Sequence, residues 1–409
     1  MKATDLFHKR ARLEVIGLFL IALAGIGMAW LSWQKWCDPI IDFGRELYIP
    51  WVLSQGKVLY KDINMFFYGP FSYYVNALLF KIFGIHINTI IGFNLALILI
   101  IAFLIYKIVR VASNATSALF SVLSFIILFA FPRYFPICND NFVTPYAHAA
   151  THGMALSFLA FFLVFLYLKA GRTVYAYLCW FVIGIVLLTK VEVFVGVFCS
   201  MVLSWTFILR KEKSPASMIV VRFITFAFLL ILPLSLAGVF FSDVFTFPEA
   251  ILRVLSPYFL MFHGGHSFSP LLIRVMGADQ PFANACRMLY WLGIYVLLAL
   301  ILIAVNHMLS ALSKNTRHKT LPAAVAFLIT LPFINATTMG NVPYLDYFLP
   351  LPLVVSLYMV YSVSRLWKTE WKDMEWRKHV ISLSLSVFSF VLLTRLFFNV
   401  TVVHYGFFL

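Results

Sequence analysis

Between Arg172 and Arg210 the chain runs through 37 residues, Thr173 to Leu209, with two charged side chains, Lys190 and Glu192. A helix rises ~1.5 Å per residue and a bilayer core is ~30 Å thick, so a run of this length amounts to nearly two crossings. Basic residues bound it on both sides: Arg172 at one end, and Arg210, Lys211 and Lys213 at the other. Both ends therefore belong on the cytoplasmic side, and the Thr189-Lys190-Val191-Glu192 middle must reach the opposite face.

The rest of the chain has the same grammar. It is 63% hydrophobic and 11% charged, where a soluble domain carries ~25% charged residues. A net charge of +15 raises the question of nucleic acid. The basic residues, however, sit in short clusters between apolar runs, so the partners they imply are membrane lipids and not nucleic acid. Lys2, Lys9, Arg10 and Arg12 place the N-terminus in the cytoplasm, and Leu13 to Trp33 is too long for a signal-peptide core and reads as the first span. Further spans follow at Ile87–Tyr106, Ala115–Phe131, Thr144–Leu168, twice within Thr173–Leu209, and at Ser217–Phe241. Four more follow at Met288–Val305, Leu321–Ile334, Tyr344–Val363 and Val380–Val400. The expectation is an all-α polytopic helix bundle of about 11 spans, a single domain over residues 1–409 with external loops at 34–86 and 242–287. Most of the acids then fall outside and most of the bases inside.

The first external loop is where chemistry is expected. Asp42 and Glu46 are four residues apart, so a helix would put both carboxylates on one face with Arg45 beside them to offset their repulsion. Pro50 should limit that helix and Gly56 suits its exit. Pro70 is placed to start a second helix, Phe71 to Phe83, which at ~20 Å is short of the bilayer core and should lie along the membrane. Each external acid also has a simpler reading as a solvated surface residue. Lys190 and Glu192 are either an ion pair at a hairpin tip or groups lining a site, since charge at that depth is costly. His148 and His152 stand at i and i+4, as in metal sites, but no third ligand is evident, so satisfied core histidines are the expectation and no metal is assigned. Asn139-Asp140-Asn141 is a polar turn first and a cation ligand second. Arg395 is a snorkelling residue or a phosphate clamp, and Arg222 sits near enough to a span end to snorkel. The five cysteines lack metal spacing and read as unpaired buried thiols, although Cys37 and Cys138 both fall outside.

Three stretches resemble a known family. They are Asp42 to Phe83 with its D-F-G-R-E, G-K-V-L-Y-K-D and Y-G-P elements, L-L-T-K-V-E at 187 to 192, and N-V-P-Y-L-D-Y-F-L-P at 341 to 350. Together with one span, a long acidic external loop and many short-looped spans, they resemble the GT-C-type integral-membrane glycosyltransferases, the protein mannosyltransferase and lipid A aminoarabinose transferase group. The resemblance implies an inverting transferase in a bacterial inner membrane with its site on the outer face. It would move a sugar from a polyprenyl-phosphate carrier to a hydroxyl of a lipid, glycan or protein acceptor, without a cofactor. It places the catalytic base at Asp42. Because members often have adjacent acids where this chain has two separated by three residues, Glu46 stays a candidate beside it. Asp62, Tyr68, Asp140, Lys190, Glu192 and Arg395 are the expected substrate-binding residues, and Lys190, Arg253, Arg274 or Arg395 would neutralise the leaving phosphate. Longer members continue past this chain's His404–Leu409 end, which implies a truncated or minimal form. A secondary transporter or lipid flippase is the alternative, and a membrane scaffold a third reading.

Overall fold

The structure is a computed structural model describing residues 3–132, 140–212, 215–263, 270–312, 346, 348–368 and 374–401. The expectations that rest on Cys138, Asn139, the Gly-Gly-His turn at 264–266, the 321–334 span, most of the 341–350 motif and the 402–409 terminus lie outside the described residues. Every helix and longer element among the described residues is helical, with one isolated bridge between Leu59 and Ile63.

The chain divides into two compact units. The first holds residues 1–267 and 355–392, with a short piece of the C-terminus. It contains α1 (Ala3–Ser32), a π-helical turn (Pro39–Phe43), α2 (Gly44–Ser54), α3 (Phe71–Phe83) and α4 (Ile87–Ala112). α5 (Ala115–Ser124) follows, running into a π-helical stretch, Phe125–Ala130. Then come α6 (His148–Ala170), α7 (Thr173–Leu187), α8 (Val191–Glu212), α9 (Ala216–Phe240), α10 (Phe247–Val254) and α11 (Ser256–His263). Most of α14 (Leu351–Lys368) and α15 (Met374–Leu393) complete it.

Seven described helices are long and apolar enough to cross a membrane: α1 from Glu14, α4, α6, α8, α9, α13 (Pro281–Leu312) as far as Val305, and α15 with the turn after it. The chain is thus an integral membrane protein. α1 and α9 keep most of their apolar side chains exposed, as lipid-facing helices do. α6, α8 and α15 bury theirs and form the interior of the unit.

The interior helices approach closely because small residues face their neighbours. At Gly184 of α7 a Cβ would lie 2.4 Å from the Leu230 carbonyl and 2.9 Å from the Pro233 ring, so α7 and α9 touch backbone to backbone there. α8 meets α15 along Gly196, Ser200 and Ser204. Ser200 Oγ donates to the Ser384 carbonyl at 2.6 Å, and the Ser204 and Ser384 hydroxyls share a 2.7 Å bond. Arg222 does not simply snorkel: it pairs with Glu212, which also receives the Tyr167 hydroxyl.

The 37-residue apolar run is two helices, α7 and α8, broken at Leu188 to Lys190. Below that break a second core joins α2, the 56–70 loop, α3 and α10. Ile49, Leu53, Leu59, Tyr73, Leu188, Phe241 and Val254 are all buried in it. Pro50 is a correction to the sequence reading: it lies inside α2, which continues to Ser54, because its buried ring is part of the same packed face as Ile49 and Leu53. Gly56 leaves the helix at φ +92°, as its exit role requires.

The second unit holds residues 268–354 and 393–407. α12 (Pro270–Val275) and α13 lie in it, with Met288, Trp291 and Leu349 as its core. Arg287 donates to Asp346 at 2.6 Å, and a 3₁₀ turn, Thr394–Leu396, carries Arg395.

Candidate functional site

The sequence places Asp42 and Glu46 on one helical face; the structure separates them. Asp38 caps the turn at Pro39–Phe43 by accepting from the Ile40 N–H at 2.9 Å. Within that turn Asp42 has φ +63° and ψ −47°, a conformation that costs an L-residue ~1–3 kcal/mol and that packing must impose. The regular helix begins only at Gly44. As a result the Asp42 side chain is 40% exposed and that of Glu46 is 1% exposed. Arg45 links them as expected, donating to Asp42 Oδ1 at 3.1 Å and to Glu46 Oε1 at 3.3 Å. It also anchors itself on the Tyr146 carbonyl at 2.7 Å.

Glu46 closes the N-terminus of α6, where helix N–H groups lack intrahelical partners and the macrodipole favours negative charge. Its Oε2 accepts the His148 backbone N–H at 2.7 Å and His148 Nδ1 at 3.0 Å, and Tyr73 donates its hydroxyl to Oε1 at 3.4 Å. The tautomer follows from Asn94 on α4. Asn94 Nδ2 donates to the Val143 carbonyl at 2.8 Å, which fixes the amide; the same nitrogen then donates to His148 Nε2 at 3.1 Å and leaves the ring proton on Nδ1. Burial pushes the Glu46 carboxyl up. The hydrogen bonds from His148 and the charge of the Arg45 guanidinium outweigh it, and the carboxyl is held below the usual carboxylate range.

Both ring nitrogens of His148 are used by protein groups, so His148 and His152 are not presented as a two-histidine ligand pair. His152 is buried against the rings of Phe71, Phe93 and His148, and neither of its nitrogens reaches a hydrogen-bond partner among the described residues. Among the described residues no group of three potential ligands is placed to hold a metal ion. Cys37 and Cys179 are buried thiols, whereas Cys199 and Cys286 are exposed on helices. Cys37 lies 2.8 Å from Thr144 Oγ1, in a turn ordered by Asn141, whose Oδ1 accepts from the Val143 and Thr144 N–H groups at 2.8 and 2.7 Å.

Lys190 is brought to the same place. The break between α7 and α8 leaves the Leu188 and Thr189 carbonyls open, and the Tyr68-Gly69-Pro70 corner supplies the donors. Gly69 N–H donates to Thr189 O at 2.7 Å and Phe71 N–H to Leu188 O at 3.1 Å. A Cβ on Gly69 would sit 2.2 Å from the Leu188 carbonyl oxygen, so only glycine permits the contact. Lys190 is buried; its ammonium donates to the Tyr146 hydroxyl and lies 4.6 Å from the Tyr146 ring centre. Tyr68 then stands beside two cations, with Arg45 at 5.4 Å and Lys190 at 5.9 Å from its ring centre. Burial pushes the Tyr68 phenol up, so it stays a neutral hydroxyl.

The structure therefore gathers Asp42, Glu46, Tyr68 and Lys190, and adds Arg45, Tyr146 and His148. The remaining expected residues sit differently. Asp62 closes its own loop by accepting from the Val58 N–H at 2.7 Å. Asp140 is half-buried ahead of the Asn141 turn. Glu192 lies in the first turn of α8, where an acid complements the helix dipole, and Arg395 belongs to the second unit. Arg253 pairs with Glu249 at 2.7 Å and donates to the Tyr60 carbonyl at 3.3 Å, holding α10 to the first loop. Sequence reasoning passed over Tyr146 and Asn94. A lone asparagine within an apolar span was the available signal for the second, since such a group needs a partner.

No family model, curated protein or solved structure matches the chain.

Proposed function

We propose that the chain is an inverting membrane glycosyltransferase that moves a sugar from a polyprenyl-phosphate carrier to an acceptor hydroxyl at the outer face. Asp42 is the base. It takes the acceptor proton as the hydroxyl oxygen bonds to the anomeric carbon, and the bond from that carbon to the phosphate oxygen breaks with its electron pair leaving on polyprenyl phosphate. Glu46 acts as a positioning residue, holding His148 and Arg45. Arg45, Lys190 and the Tyr68 hydroxyl stand where developing phosphate charge is stabilised. The observation that carries this reading is the accessible, backbone-strained Asp42 set beside the half-buried Arg45 and the buried Lys190 around Tyr68. About eleven crossings complete the proposal: the seven long helices, the shorter α7, α14 and α5 with its π-helical extension, and the apolar 321–334 segment, with α2 and α3 along the surface of a bacterial inner membrane.

A broken helix with a buried lysine at the break is also what secondary transporters use. One experiment separates the two. Purified protein in proteoliposomes is given a radiolabelled polyprenyl-phosphate sugar, and release of polyprenyl phosphate is followed for wild type and Asp42→Asn. Release by wild type that Asp42→Asn abolishes supports transfer, while movement of intact donor between leaflets by both proteins overturns it.

A further inference from the structure

The C-terminal ends of α8 and α14 and the first turn of α15 meet in a cluster of basic and indole side chains that the proposed transfer does not use. The Arg210 guanidinium carbon lies 3.9 Å from the Trp367 ring centre, and Lys211 Nζ lies 3.9 Å from that of Trp376. Phe207 meets Trp367 edge-on at 5.9 Å. Arg377 is near enough to Lys211 to repel its charge, and Arg365 acts on both Glu375 and His379, so the three helix ends share one electrostatic neighbourhood. Among the described residues, the two carboxylates there are engaged: Glu375 accepts Lys378 at 2.6 Å, and Glu212 holds Arg222 and Tyr167. The connecting residues 213–214 and 369–373 lie outside the described residues; their two basic and two acidic side chains leave the charge balance unchanged.

Cations held this close in excess of carboxylates create a field that favours an anion. An apolar ridge leads away from them along α14. Leu357, Val360, Tyr361 and Trp367 are all exposed, at spacings that put them along one side of the helix. We propose that the cluster binds the headgroup of an anionic phospholipid, with its phosphate against Arg210, Lys211, Arg365 and Arg377 and its acyl chains along the Leu357–Trp367 ridge. The ridge is what commits the site to a lipid, because a soluble phosphate has no use for it. The proposal stands independently of the transferase reading.

Native mass spectrometry of the full chain in detergent, with equimolar phosphatidylglycerol and phosphatidylcholine of matched chains, tests it. Wild type is expected to retain phosphatidylglycerol preferentially. Arg365→Gln with Arg377→Gln, which leaves both indole contacts in place, is expected to lower that retention about fivefold per charge removed. Lys169→Gln with Arg172→Gln, exposed at the end of α6, should leave it unchanged. If the first pair does not fold, Arg377→Gln alone, at an exposed position in the first turn of α15, carries the same comparison. Absence of a wild-type preference, equal losses in both pairs, or displacement of the lipid by an equal concentration of glycerol phosphate would each overturn the proposal, the last in favour of a soluble phosphate site.

Discussion

Glu46 and His148 meet through one carboxylate oxygen: Oε2 accepts the histidine's backbone N–H at 2.7 Å and its ring Nδ1–H at 3.0 Å. One side chain thereby closes the start of α6, orients the imidazole and, through Arg45, reaches Asp42. Burial gives Asp42 and Glu46 different surroundings: Glu46 holds structure together, and Asp42 stays partly exposed.

Glu46→Gln should therefore act on stability first. Gln retains one acceptor oxygen but loses the charge that faces Arg45 and the α6 terminus, and a loss of about 1–3 kcal/mol is expected from thermal unfolding in detergent. The pH dependence has a definite sign. A carboxyl whose folded-state value is depressed contributes stability that is fully present above its ordinary value of 4.5 and is lost as pH falls through the lower folded value. Wild type should lose stability below about pH 4.5, and the Gln variant should lose less over the same range.

Asp42→Asn should leave unfolding unchanged within about 0.5 kcal/mol, since the side chain is partly exposed and its ion pair with Arg45 is open to solvent screening. The rate of sugar transfer should fall by about 10² to 10⁴, the usual cost of losing a positioned base. A variant that transfers at the wild-type rate would remove Asp42 from the mechanism.

Gly69→Ala is predicted to separate Tyr68 from Lys190. The added methyl group would meet the Leu188 carbonyl, and relieving that overlap costs about 1–3 kcal/mol. Gly92→Ala is the matched control, because a Cβ there meets nothing within 4 Å. Limited proteolysis of the 56–70 loop, faster in the first variant only, is the readout.

Asn76 is buried in α3, and neither atom of its amide finds a partner among the described residues. Replacing an unsatisfied buried amide by an apolar group of similar size is near neutral or stabilising. Asn76→Leu should raise the unfolding temperature. A fall of several degrees would show that the amide is satisfied in the working protein.

A reagent that cannot cross the membrane, applied to a cysteine at position 191, should label it from the outer side. Val191 opens α8 immediately after Lys190, and the 37-residue run returns to its basic side only if its middle is outside. Labelling from the cytoplasmic side alone would overturn the topology from that point on.

The sequence by itself determined the membrane class and the broken hairpin. Thr173 to Leu209 is too long for one crossing and too apolar for water, and its two charges had to mark the break. It also marked Asp42, Glu46, Tyr68 and Lys190, because charge and turn residues stand out against an apolar background. Only the tertiary structure decided their roles. Four residues of spacing predict one shared helical face for Asp42 and Glu46, yet the Asp38 cap and the π-helical turn delay the helix to Gly44 and send the two carboxylates apart. The break at Leu188–Lys190 has neither glycine nor proline. It persists because Gly69 and Phe71, more than a hundred residues earlier, supply the N–H groups that its open carbonyls need. Local pattern reports where polar groups must be satisfied; which distant group satisfies them is a property of the packed chain alone.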